Sequence, residues 1–159
     1  MGNLAGTYSQ QGKYKEAEKL RLEVLDLYRK ILGPVHPDTL ISMANLAVAY
    51  LKQGKYEEAE ELNLKVLDLC TKVLGPEHPL TLISMGNLAA TYSNQGKYKE
   101  AEELQLKELD LCNKVLGPEH PHTLTSFANL GAIHQKQDKN KETWRAGNGN
   151  SHNSANYTK

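Results

Sequence analysis

Apolar side chains recur along this chain at the spacing of α-helices, in pairs of segments separated by glycine. Over residues 40–51 the apolar positions fall at intervals of three and four, so they share one helical face. Gly54 then interrupts the pattern, because glycine adopts the left-handed conformation that closes a helix. A second helical pattern covers residues 56–74, and Gly75-Pro76 ends it. The pattern therefore predicts two antiparallel helices joined by a tight turn.

This helix pair repeats every 42 residues. The tripeptide Asn-Leu-Ala begins at Asn3, Asn45 and Asn87, and Asn129 begins a last, altered copy. A fixed period of this length is typical of a solenoid, in which each unit buries its apolar face only against its neighbours. The sequence thus predicts an all-α solenoid of antiparallel helix pairs with about seven helices.

The solenoid is expected to cover residues 1–137. Three units and a closing helix are predicted, at residues 1–42, 43–84, 85–126 and about 122–136. The fourth copy loses the repeat signature, since Asp138 replaces the turn glycine and polar residues follow where apolar ones are needed. Residues 138–159 cannot bury an apolar face, and we expect them to form a disordered polar tail.

The motif at residues 43–59, M-x-x-L-A-x-x-Y followed by G-K-Y and A, resembles the tetratricopeptide repeat (TPR). The usual unit is shorter, at about 34 residues. The string KVLGPEHPLTL at residues 72–82 is similar to the 42-residue variety, found in kinesin light chains and in the sensor arms of NACHT or NB-ARC signalling ATPases. This resemblance implies a right-handed superhelix and a non-enzymatic protein-binding scaffold. Where the usual unit carries an aromatic residue, this chain has Arg21, Asn63 and Gln105.

Composition narrows the classes of partner. Lysine plus arginine equals aspartate plus glutamate, at 19 each, so no net field favours nucleic acid or an acidic membrane. No apolar run is long enough to span a bilayer, and no signal-peptide pattern begins the sequence. We therefore expect a protein or peptide partner, no nucleic acid, no membrane and a cytoplasmic location.

The two cysteines, Cys70 and Cys112, hold equivalent places in adjacent units. Helix packing distances place such positions roughly 10 Å apart. A disulfide needs Cα atoms within about 7 Å. We expect two free thiols in a reducing compartment.

Histidines recur in the loops between units, at His36, His78 and His120, and one repeat is too far for a shared metal ion. Each precedes a proline and is expected to supply the hydrogen bond that starts the next helix. His120 and His122 form the only close pair, and no cysteine or carboxylate cluster is evident beside them in the sequence. We expect no metal, no other cofactor and no catalytic residues.

The first helix of each unit supplies the candidate binding residues, because the resemblance implies that these helices line the concave face. An asparagine amide offers both a donor and an acceptor to an extended peptide backbone. The predicted partner-binding residues are Asn3, Asn45, Val48, Leu51, Lys52, Asn87, Ala90, Ser93, Asn94, Asn129 and Lys136. Alternatively, the asparagines bond to each other or to neighbouring backbone and set the repeat register.

The predicted groove is mainly neutral, with Lys52 and Lys136 as its only charged positions. TPR domains that clamp a C-terminal carboxylate present several lysines and arginines on these faces. We therefore expect a neutral or modestly apolar peptide, centred on Val48 and Leu51, rather than a chaperone tail.

Glu108 departs from the repeat, since it replaces Val24 and Val66 at a place that faces the neighbouring first helix. In one interpretation it reaches the edge of the seam and pairs with a nearby cation. In the other it weakens the last interface between units.

Two alternatives to the peptide-binding scaffold remain open. The second and third units are identical at 31 of 42 positions, which suggests recent duplication and end-to-end self-association of the array. The chain could instead be a fragment of a longer sensor arm of a signalling ATPase.

Overall fold

Six helices make up the part of the protein that the computed structural model describes, residues 13–149. They are α1 (Tyr14–Ile31), α2 (Pro37–Lys52), α3 (Tyr56–Leu74), α4 (Pro79–Asn94), α5 (Tyr98–Val115) and α6 (Pro121–Gly149). Each helix packs against the next, and α4 also contacts both α2 and α6. The predicted all-α solenoid is confirmed. The helix predicted at the start of the first unit lies outside the described residues.

A histidine caps each of the three described first helices, α2, α4 and α6. His78 Nδ1 accepts a hydrogen bond from the backbone N–H of Leu80 at 3.1 Å. His36 and His120 accept from the residues two positions later at 3.2 and 3.1 Å. A proline follows each histidine at the first helical position, where its missing N–H costs nothing. The predicted role of the loop histidines in starting the next helix is confirmed.

Glycines turn the chain back after the first two of these helices. Gly54 and Gly96 have φ angles of 75° and 79°, a region that side chains with a Cβ rarely adopt. The N–H of Lys55 then bonds to the carbonyl of Tyr50 at 3.0 Å, which closes the helix end.

The last helix, α6, does not turn. Asp138 occupies the place of the turn glycine, and no positive φ occurs after Gly117 within the described residues. The helix continues instead to Gly149.

The predicted boundary of the closing helix is therefore wrong, and so is the disordered tail over residues 138–149. Residues 138–146 are exposed, as a segment without an apolar face should be. Exposure does not prevent a helix here, because lysine and glutamate are good helix formers and Lys141 pairs with Asp138 one turn earlier at 3.5 Å. Residues 150–159 lie outside the described part of the chain.

Salt bridges tie each turn to the preceding unit. Lys55 reaches Glu18 on α1 at 2.7 Å, and Lys97 reaches Glu60 on α3 at 2.8 Å. Both carboxylates are partly buried, so solvent screens these pairs less than it screens fully exposed ones. The pairs help to hold successive units in register.

Small residues allow the helices to approach closely. Four alanines are fully buried where helices meet, namely Ala47, Ala59, Ala89 and Ala101. Around them Leu40 and Leu82, at equivalent positions of α2 and α4, are also completely buried. The core is therefore a row of similar contacts repeated from unit to unit, as expected for a solenoid.

One face of α6 stays apolar and uncovered. Leu124 and Phe127 are 57% and 67% exposed, whereas their counterparts Leu82 and Met85 are 0% and 4% exposed. In the inner units a second helix follows and packs against the first helix, α3 against α2 and α5 against α4. Because α6 continues to Gly149 without a turn, no such helix folds back over it within residues 13–149.

Candidate functional site

The predicted partner-binding residues lie on three neighbouring helices. They are Asn45, Val48, Leu51 and Lys52 on α2, Asn87, Ala90, Ser93 and Asn94 on α4, and Asn129 and Lys136 on α6. Since α4 contacts both α2 and α6, these positions follow one row of adjacent helices. Asn3 lies outside the described residues.

A cleft of about 160 Å³ opens between α4 and α6. Its walls consist of Ala90, Ser93, Asn94, Gln105, Asn129, Ala132, Ile133 and Lys136. All the candidates of these two helices except Asn87 are therefore brought together. Sequence reasoning missed Gln105 and Ile133 as walls of this cleft.

Polar groups in the cleft are already oriented. Lys136 Nζ donates to Asn94 Oδ1 at 3.1 Å, and Asn94 Nδ2 donates to the carbonyl of Ala90 at 2.7 Å. A neutral amide orients the ammonium without neutralising it. Lys136 can therefore still attract a carbonyl or carboxylate oxygen of a ligand.

The side-chain amides of Asn45, Asn87 and Asn129 make no hydrogen bond with another residue of the described range 13–149. Asn45 and Asn129 are exposed, and Asn87 is half-buried. An amide that is accessible and unpaired in the protein can bond to a ligand without first breaking an internal contact.

The α2 candidates do not reach the cleft between α4 and α6. Asn45 lines a separate cavity of about 160 Å³ between α1 and α2. Val48 and Leu51 are half-buried, and Lys52 is exposed. The candidate surface is thus a row of separate hollows rather than one continuous pocket.

A buried polar cluster lies at the seam between α5 and α6. The side chain of Glu108 is 2% exposed. Its Oε2 accepts hydrogen bonds from Gln105 Nε2 at 2.6 Å and from Ser126 Oγ, and its Oε1 accepts from the Cys112 thiol at 3.1 Å. His122 Nε2 lies 3.0 Å from Oε1, but in a direction that does not satisfy hydrogen-bond geometry. Glu108 is therefore inside the seam, not at its edge, and its neighbour of potential positive charge is a histidine.

This cluster is specific to the last seam among those described. Equivalent positions of the seam between α3 and α4 hold Val66, Cys70 and Leu80, all buried, and those between α1 and α2 hold Val24, Tyr28 and Asp38. Alignment of the units could have revealed the cluster. Glu108 and Cys112 are four residues apart and share a helix face, and His122 aligns with Leu80, which is buried with Cys70 in the core.

Burial perturbs both thiols, which are free in the structure. Desolvation raises the pKa of Cys70, and it raises that of Cys112 to about 12, with further increases from the hydrogen bond to Glu108 and from its charge. The fold thus favours the protonated thiols. It follows that they destabilise the folded state only as pH rises above their usual pKa of 9.0.

We expect the native protein to resist alkylation at both cysteines at neutral pH, because each thiol is fully buried. A thiol-reactive chromogen followed over time should label two thiols quickly in guanidinium and neither quickly in native buffer. A Val73→Cys variant, which places a thiol at a 48%-exposed position, is the positive control. Native labelling at the rate of that control would contradict the prediction.

Comparison with known proteins agrees with the architecture. The tetratricopeptide repeat family profile matches residues 1–66, 45–107 and 87–142. A solved structure of nearly identical TPR-like repeats from Podosopora anserina, assigned there to kinesin light chain, is 35% identical, with a TM-score of 0.78 over 89% of this chain and 67% of that one. A point variant of those repeats, also solved, is 34% identical, with a TM-score of 0.72 over 91% and 68% of the two chains.

A more distant structure shares the fold alone. BtubC (BKLC) from P. vanneervenii is 18% identical, with a TM-score of 0.72 over 98% of this chain and 65% of that one. A search of curated proteins found no match.

The described helices include none with the length and apolarity needed to cross a bilayer. The fold and its relatives are consistent with a non-enzymatic scaffold for protein–protein interaction. With profile matches that run from residue 1 to residue 142 and helix pairs of the expected form, this chain belongs to the tetratricopeptide repeat family.

Proposed function

We propose that the protein is a scaffold that binds a neutral peptide or partner segment along the row of first helices α2, α4 and α6. The observation that carries this proposal is the cleft between α4 and α6, which joins Asn94, Asn129 and Lys136 to small alanines. Small side chains leave room for a peptide main chain, and the polar groups supply hydrogen bonds to it.

The spacing of the three asparagines on the first helices favours a particular peptide conformation. Packed helices lie about 8–10 Å apart, so Asn45, Asn87 and Asn129 recur at roughly that interval. A polyproline II segment advances about 9 Å in each three-residue turn and leaves its backbone groups unpaired. Every third residue of such a peptide would present its backbone to a successive amide.

The proposed groove carries little charge, because Lys136 is the only charged residue that lines the α4–α6 cleft. Affinity would then come from backbone hydrogen bonds and from apolar contact with Val48 and Leu51 rather than from ion pairs. Binding should depend only weakly on salt.

We expect an Asn87→Ala/Asn129→Ala double variant, which removes one amide of the row and one amide that lines the cleft, to bind a selected peptide about 10- to 30-fold more weakly. Each lost hydrogen bond is worth about 1 kcal/mol, and about 1.4 kcal/mol is a factor of ten in affinity. A peptide library would be screened on the wild-type protein, and Kd then measured by fluorescence anisotropy for both proteins.

The matched control is Asn113→Ala, which removes an exposed asparagine from α5, outside the proposed groove. It should leave Kd unchanged. A peptide that binds the wild type and the double variant equally well would refute the groove.

Self-association is the second candidate function, because Leu124 and Phe127 form an apolar surface on α6 that the described chain leaves uncovered. Such a surface at the end of a repeat array commonly receives another helical unit. A second copy of this chain, which offers the same face, would bury it in an end-to-end dimer.

Light scattering over a concentration series tests this candidate, with dimers expected at high concentration. Phe127→Glu should shift the protein to monomer, whereas Val73→Glu, at an exposed apolar position of α3, should not. A strict monomer at all concentrations would exclude the dimer and leave the peptide scaffold untouched.

The sensor-arm alternative stays a prediction, and a nucleotide-binding domain encoded upstream would favour it.

We also place the protein in the cytoplasm. Its two free thiols support a reducing compartment.

A further inference from the structure

Three potential metal ligands meet at the seam between α5 and α6. Glu108 Oε1 lies 3.1 Å from Cys112 Sγ and 3.0 Å from His122 Nε2, and the three ligand atoms all fall within 4.8 Å of one another. Atoms that surround one tetrahedral ion at about 2.0–2.3 Å are separated by similar distances. We propose that Glu108, Cys112 and His122 bind a single zinc ion.

The chemistry of the three groups favours zinc. Thiolate and imidazole together select borderline-soft ions, and carboxylate is an accepted third ligand. Three protein ligands leave the fourth tetrahedral position open to water or to a group from a partner. Calcium and magnesium require sets of oxygen ligands, which this cluster does not offer.

Backbone geometry holds the ligands in place. Glu108 and Cys112 are four residues apart on α5, so their side chains project from the same helix face. His122 is the second residue of α6, where its backbone N–H is held by the cap of His120 at 3.1 Å. Gln105 and Ser126 bond to the second oxygen of Glu108 and orient the carboxylate, a common arrangement around metal ligands.

Charge balance also supports the assignment. When the ion binds, Cys112 releases its proton to solvent, and the thiolate and the Glu108 carboxylate together neutralise Zn²⁺. The buried seam then holds no net charge. His122 Nε2, which has no hydrogen-bond partner among the described residues, would acquire one in the ion.

Access is possible from one side. The side chain of His122 is 30% exposed, whereas that of Glu108 is 2% exposed. An ion can therefore enter past the imidazole and reach the carboxylate and the thiol behind it. Since the ligands come from α5 and α6, the ion would fasten the last helix to the array.

The neighbouring seam provides matched variants. Glu108→Val/His122→Leu recreates the Val66, Cys70 and Leu80 arrangement that already packs between α3 and α4. This double variant should fold while it lacks two ligands. Cys112→Ser removes the third ligand alone, and Cys70→Ser is the control, because no carboxylate or histidine of the described chain accompanies Cys70 in a metal-binding cluster.

The test uses the full chain, reduced and stripped of metal, with zinc titrated against a chromogenic chelator. Cobalt serves as the spectroscopic probe, because tetrahedral Co²⁺ shows visible bands and a thiolate-to-cobalt charge-transfer band. We expect one ion per chain and higher Tm with zinc. Cys112→Ser should abolish the charge-transfer band.

Both ligand variants should weaken zinc binding more than about 100-fold. This exceeds the loss of metal affinity that is usual when only a residue hydrogen-bonded to a ligand is removed. Cys70→Ser should bind like the wild type. Circular dichroism verifies that each variant folds. An absence of cobalt bands, or a zinc affinity unchanged in the folded double variant, would overturn the proposal and leave the cluster as a hydrogen-bonded seam only.

Discussion

Replacing Leu82 by alanine should destabilise the protein by about 3 kcal/mol. Leu82 lies in α4 and is completely buried. Its truncation removes apolar contacts and leaves a cavity, which together cost about 2–5 kcal/mol in buried sites. The free energy of unfolding, measured with urea by circular dichroism, gives the difference.

Leu124→Ala makes the same chemical change at the equivalent position of α6, where the side chain is 57% exposed. It should change stability by less than about 0.5 kcal/mol. Equal losses for the two variants would show that the apolar face of α6 is covered in solution. Because a dimer would cover this face only at high protein concentration, the pair measured at low and at high concentration also reports on end-to-end assembly.

His122→Leu is expected to cost about 2–3 kcal/mol when metal is excluded by a chelator. The substitution leaves the buried carboxylate of Glu108 without its only potential cation in the cluster, although three other donors remain. Breaking such a pair destabilises the folded state because it leaves a buried charge uncompensated. Urea unfolding in chelator measures the loss.

Replacing the other partner of the pair should reduce stability less. Glu108→Val leaves a histidine that solvent can still reach. The double variant Glu108→Val/His122→Leu should recover to within about 1 kcal/mol of the wild type, since apolar replacement of a buried pair is often neutral. Additive losses in this double-mutant cycle would show that Glu108 and His122 do not interact.

Local signals in the sequence identified the repeating architecture. The Asn-Leu-Ala recurrence shows that one unit repeats, and the turn at Gly54 and the His-Pro caps are decided within that unit. Gly54 turns because its φ is 75°, and His78 caps because its acceptor reaches an N–H two residues away. Such short-range effects can be inferred without knowing the rest of the fold.

The end of α6 could not be inferred in the same way. Loss of the turn glycine at Asp138 is visible in the sequence, and by itself it predicts the end of the ordered solenoid. The structure instead has an uninterrupted helix to Gly149, because helix propensity suffices where no turn signal stops the chain. One consequence is the uncovered surface at Leu124 and Phe127.

The candidate site was predictable as a set of positions and not as a shape. Equivalent positions in the repeat predicted Asn94, Asn129 and Lys136. Their assembly into one cleft depends on how α4 packs against α6. Asn45 belongs to a different hollow. Partner binding at all of them stays a prediction.

The sequence by itself determined the repeat, the helix pairs, the caps and the row of candidate binding residues, because each follows from spacing along one chain segment. Only the tertiary structure decided that Glu108, Cys112 and His122 share a buried seam. The physical reason is that a residue on α5 and one on α6 acquire a distance and a common environment only when the helices pack. The chemistry of these three side chains depends on their burial, and neither helix alone produces that burial.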